Sequence, residues 1–90
     1  GLFCAYDALG YTVLQVLETL GVRVPEGVAV VSYDGTAGSE HRKARLSTVA
    51  VDKHELGAAG VRLFLAHLHD AALGPQRVAV RTALEPGDTS

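Results

Sequence analysis

The chain has 90 residues with 8 Lys+Arg, 10 Asp+Glu and 4 His, a formal net charge of −2, and 48% apolar residues. These values exclude a collagen-like, low-complexity or strongly disordered chain, and the near-zero charge argues against a free-standing nucleic-acid binder, which needs clustered Lys and Arg. The longest uncharged apolar stretch, Ala8 to Leu17, is too short to span a bilayer, no basic segment precedes an apolar one as in a secretory signal, and the single cysteine excludes an internal disulfide.

Leu2-Phe3-Cys4-Ala5 reads as a short buried strand, with Cys4 as a small hydrophobe. Asp7 is placed to cap a helix that runs to Gly21. Leu9, Val13, Val16, Leu17 and Leu20 recur at spacings of three and four and form its apolar stripe, and Gly21 suits a left-handed C-terminal cap. Val28 to Tyr33 is a continuous apolar run of the kind found in strands buried on both faces of a parallel sheet. Residues 34–45 read as a loop, and Ser47 to Val51 as a further strand. Asp52 and Glu55 have capping-box spacing and open a second helix that the apolar pattern carries to about Ala72, before Gly74-Pro75. A last strand holds Val78-Ala79-Val80 and reaches about Leu84, and residues 86–90 read as a tail. The order β-α-β-β-α-β implies an α/β domain with a mostly parallel sheet. Two helices are few for covering both faces of such a sheet, which points to part of a larger domain.

Asp34 is the most informative residue. It follows a buried strand at its carboxyl end, where open α/β sheets bind ligands, and a carboxylate there suits sugar hydroxyls or the N–H groups of a base. As part of Asp34-Gly35 it also suits an ordinary turn. Tyr6 and Asp7 follow the first strand in the same way. Tyr6 can stack on a ligand ring or bond through its phenol. At 100° per residue, Tyr11, Leu14 and Glu18 fall opposite the helix stripe, so they are expected to be exposed and to form a partner surface, or to pack against another part of the protein. The run from Glu40 to Arg45 reads as a solvated loop or an interface loop. His67 and His69 are two apart on a helix and cannot readily share a metal. No zinc spacing, phosphate loop, nucleophile elbow or carboxylate pair is present, so an enzyme, a metal site or a cofactor has no residues to stand on.

The segment from Val24-Pro25 through Val28-Ala29-Val30-Val31-Ser32-Tyr33-Asp34 resembles the V-P-x-D-V-x-V-x-G-[FY]-D signature of the lac-repressor/galactose-repressor family. Phe3-Cys4-Ala5-Tyr6-Asp7 is similar to its F-x-x-N-D segment. Leu46-Ser47-Thr48-Val49 looks like L-T-T-[IV], and Asp52 with Leu56-Gly57 matches the helix that follows. The resemblance covers nearly the whole chain in the family's order.

That resemblance implies a bacterial, cytoplasmic transcription factor: a DNA-binding headpiece, a hinge, and a two-lobed effector domain of the periplasmic-binding-protein-like type. Residues 1–85 would be part of the C-terminal lobe, without cofactor or membrane partner. Operator DNA would be bound only through the headpiece, which is outside these 90 residues. The effector, a small molecule such as a sugar, would bind between the lobes. Asp34 matches the family's effector-binding aspartate, Tyr6 stands where the family has an effector-binding Asn, and Asp7 matches the acid beside it. Tyr11, Leu14, Gln15 and Glu18 match the helix of the homodimer interface, and His41 and Arg42 lie in the matching interface loop. The competing reading of the same fold is a periplasmic sugar receptor for transport or chemotaxis.

Overall fold

The computed structural model describes residues 1–36 and 44–90. The elements follow the order β1 (Leu2–Phe3), α1 (Asp7–Thr19), β2 (Val30–Asp34), β3 (Ser47–Val51), α2 (Lys53–His69) and β4 (Thr82–Glu85). The four strands form one sheet in the order β1-β2-β3-β4, and β1/β2 and β2/β3 pair in parallel. This is the mixed α/β architecture that the sequence implies. The chain divides into two compact units, Gly1–Ala50 with Ala83–Ser90, and Val51–Thr82.

In the first unit, Val30 and Ser32 are fully buried while Val31 is half-buried and Tyr33 is exposed. β2 is therefore dry on one face only, where a continuous apolar run suggested two. Cys4, Tyr11, Val30 and Leu46 form the buried core, with Val13, Leu14, Leu17 and Val24 packed against it. Helix α1 reaches the sheet through Gly10: a Cβ there would stand 2.7 Å from Leu46 Cδ2 and 3.3 Å from Ser32 Cβ. That close approach selects the face that packs. Gly10, Tyr11, Leu14 and Leu17 share one side of the helix, and Leu9, Val16 and Leu20 are left exposed. The apolar stripe read from sequence is thus turned relative to the packed face. Both sides of α1 carry Leu and Val, and counting apolar residues cannot choose between them. The C-terminus ends as expected: Gly21 has φ +70°, its N–H donates to the Glu18 carbonyl, and the Val22 N–H donates to the Leu17 carbonyl.

Residues 86–90, read as a tail, are tied to the strands. Thr89 is 1% exposed. Its Oγ1 donates to the Val30 carbonyl (2.7 Å) and accepts from the Ser47 N–H (2.9 Å), and the Val30 N–H donates to the Thr89 carbonyl (2.7 Å). Arg45 and Asp88 exchange backbone and side-chain hydrogen bonds, the Arg45 guanidinium donates to the Pro86 carbonyl, and the Gly87 N–H donates to Ser47 Oγ. Polarity marked this segment as tail-like, but its hydroxyl and backbone groups serve backbone groups at the starts of β2 and β3.

In the second unit, Asp52 caps α2 as expected, its Oδ1 accepting from the Glu55 N–H at 2.9 Å. Glu55 pairs with Arg62 at 2.5 Å. The helix stops at His69 rather than near Ala72, because the Asp70 carboxylate accepts the Ala72 N–H and turns the chain. Val78–Val80 has no regular structure, and β4 begins at Thr82. An apolar triplet does not specify a strand without a pairing partner. No helix among the described residues is long and apolar enough to cross a membrane.

Candidate functional site

The carboxyl ends of β1 and β2 carry the three residues singled out from sequence. Asp7 opens α1 but does not cap it. Tyr6 occupies the cap position with extended backbone (φ −158°, ψ 159°), and no side chain accepts from the first turn there. The Asp7 carboxylate turns instead onto the sheet and is 4% exposed. Oδ1 accepts from Ser32 Oγ at 2.5 Å and from Thr48 Oγ1 at 2.7 Å. Oδ2 accepts from the Thr36 N–H at 2.6 Å and from Thr36 Oγ1 at 3.1 Å.

This arrangement follows from the sheet register. Ser32 and Thr48 are partners on adjacent parallel strands, so their side chains stand together on one face. Two neighbouring hydroxyls on a buried face need an acceptor, and the first residue of α1 supplies it. Burial pushes the Asp7 carboxyl pKa up, but the hydrogen bonds from Ser32, Thr48 and Thr36 outweigh it and hold the group below its ordinary value of 3.8. No buried side-chain nitrogen or oxygen among the described residues lacks a hydrogen-bond partner.

Asp34 closes β2 with a half-buried side chain and φ 123°, a region that L-residues rarely enter. Gly35 follows with φ +65°; a Cβ there would stand 2.5 Å from Ala50 Cβ and 2.7 Å from Ala50 Cα. The Gly35 N–H donates to Thr48 Oγ1 at 3.3 Å, and Thr36 Oγ1 lies 3.4 Å from Asp34 Oδ2. The turn that presents Asp34 is therefore held by the same hydroxyls and carboxylate. Tyr6, at the end of the neighbouring strand, is 52% exposed.

The residues matched to a dimer helix divide differently. Tyr11 is 9% exposed and belongs to the core, and Leu14 packs against that core, where sequence reasoning expected both outside. Gln15 and Glu18 are exposed. These four line an open groove of about 580 Å³ together with Val22, Val24, Ala44 and Thr89. His41 and Arg42 lie outside the described residues. Sequence reasoning missed Ser32, Thr36 and Thr48 as members of the site. The signal for Ser32 was present: a polar residue inside an otherwise apolar strand needs a buried partner.

Comparison with known proteins adds a family. Residues 1–90 match the periplasmic binding protein-like domain family. The transcriptional repressor MelR of Bacillus subtilis is 37% identical over 82 residues, which cover 91% of this chain and 24% of that protein. A solved complex of the transcriptional regulator CelR with cellobiose superposes with a TM-score of 0.87 at 32% identity, covering 98% of this chain and 27% of that one. A LacI family regulator from Arthrobacter sp. FB24 in complex with lactose gives a TM-score of 0.74 at 33% identity, covering 97% of this chain and 33% of that one. The chain spans about a quarter of the length of the curated relatives it matches. The chain belongs to the periplasmic binding protein-like domain family, and the relatives and solved structures it resembles are transcriptional regulators.

Proposed function

We propose that this chain is the effector-sensing part of a homodimeric DNA-binding transcriptional regulator, a repressor like MelR, and that its effector is a sugar. The observation that carries the reading is Asp34: a half-buried carboxylate at the carboxyl end of β2, held at a φ of 123°. An ionised carboxylate accepts hydrogen bonds only, so adjacent hydroxyls of a sugar suit its two oxygens. Tyr6, exposed at the end of the next strand, offers an aromatic face and a phenol to the same ligand. The sugars in the similar complexes, cellobiose and lactose, are disaccharides and suit an open strand-end site of this kind. Asp7 is spent on Ser32, Thr48 and Thr36, and its part in binding is indirect.

Regulation would follow from differential affinity. A sugar that binds one arrangement of the lobes more tightly shifts the population toward it, and through it the affinity for operator DNA. The names of the relatives favour a regulator over a transport receptor. In a dimer, Gln15 and Glu18 would contribute contacts, since Tyr11 and Leu14 are taken up by the chain's own core.

Thermal melts of the full-length protein across a sugar panel test the reading, because a ligand that binds the folded state raises its melting temperature. A disaccharide should raise it, and Asp34→Ala should abolish that rise. The same rise in Asp34→Ala as in the parent protein would remove Asp34 from the site.

A further inference from the structure

We infer that Asp7 is the positioning residue of the ligand turn: its buried carboxylate fixes Asp34-Gly35-Thr36 in the one conformation that presents Asp34 to a polyhydroxylated ligand. The inference rests on the reading of Asp34 as the ligand-binding carboxylate. Asp7 itself is too deeply buried to meet a ligand. Its two oxygens do different things. Oδ1 faces the strands and takes the hydroxyls of Ser32 and Thr48, whereas Oδ2 faces the turn and takes both the N–H and the hydroxyl of Thr36. Thr48 then passes the connection on by accepting from the Gly35 N–H. Two consecutive amides beyond the strained Asp34 are thus tied to one buried carboxylate, directly or through one hydroxyl. Without that tie, the turn after β2 relaxes toward ordinary extended backbone, and the Asp34 carboxylate shifts from the position that a ligand meets.

Asp7→Asn separates positioning from packing. The carboxamide keeps the shape and one acceptor, but its NH2 group either faces the Thr36 N–H, itself a donor, or takes the place of the oxygen that accepts from both strand hydroxyls. Thr36→Val serves as the conservative control, because it keeps the N–H that bonds to Asp7. In the full-length protein, we expect Asp7→Asn to speed hydrogen–deuterium exchange in peptides carrying Gly35 and Thr36, with peptides of β2 and β3 unchanged. We expect it to weaken binding of cellobiose or lactose, whichever the parent protein binds, roughly tenfold. Thr36→Val should keep the slow exchange. Faster exchange throughout the sheet would mean a merely structural role for Asp7 and would overturn the inference, as would parent-like exchange at Gly35 and Thr36. If Asp34→Asn leaves sugar affinity unchanged while Asp7→Asn loosens the turn alone, the ligand reading of Asp34 fails and the anchoring of the turn by Asp7 stands.

Discussion

The hydroxyl of Thr48 donates to the carboxylate of Asp7 across 2.7 Å, joining two residues 41 positions apart in the chain. Through this bond the start of α1 is tied to β3, and Ser32 adds β2 to the same acceptor. Removing the acceptor strands two buried hydroxyls at once. Asp7→Ala should lower stability by about 2–4 kcal/mol, read as a fall in the denaturation midpoint of the full-length protein. Ser32→Ala and Thr48→Val should each cost less, and their effects should largely vanish in the Asp7→Ala background.

The same network makes stability depend on pH in a defined direction. The folded-state pKa of Asp7 lies below its ordinary value of 3.8. Its contribution is therefore fully present above that value and is lost as pH falls through the lower, folded pKa. Urea midpoints of the parent protein and of Asp7→Asn, compared from pH 5 downward, should converge as the acid end of that window is reached. A constant difference across the range would show that the charge on Asp7 contributes nothing.

Gly35 has no room for a side chain. With φ +65° and Ala50 atoms 2.5 Å and 2.7 Å from a notional Cβ, Gly35→Ala should cost about 2 kcal/mol or more. It should also shift the Asp34 turn, so that sugar affinity falls along with stability. A variant with parent-like melting and binding would show that the turn accommodates a Cβ by a small backbone movement.

Thr89 gives the C-terminal segment its own test. Its hydroxyl bridges the Val30 carbonyl and the Ser47 N–H, and Thr89→Val leaves both groups buried without that partner. We expect a loss of about 2–3 kcal/mol by chemical denaturation, with most of it restored in Thr89→Ser, which keeps the hydroxyl.

These residues also show how far the sequence could be read. The strands at Ser47–Val51 and near Val30, the Asp52 cap and the Gly21 cap were legible because each depends on local chemistry. The packed face of α1 was not: Gly10 decides it by meeting Leu46, a residue from a distant segment. Asp7 was misread as a cap for the same reason, since its partners Ser32, Thr36 and Thr48 come together only through the parallel register. Likewise, nothing local in Pro86–Ser90 announces a segment tied to Val30, Arg45 and Ser47. Asp34 was legible as a candidate because its place after a buried strand is a feature of the chain order. Its backbone strain was not.

Calorimetric titration of the full-length protein and its Asp34→Asn variant, with the disaccharide that the parent protein binds, tests the central claim most directly. The substitution preserves shape and replaces one hydrogen-bond-accepting oxygen with a donor NH2 group. The account predicts binding at least roughly tenfold weaker at an unchanged melting temperature without ligand. Equal affinity in the two proteins would contradict it.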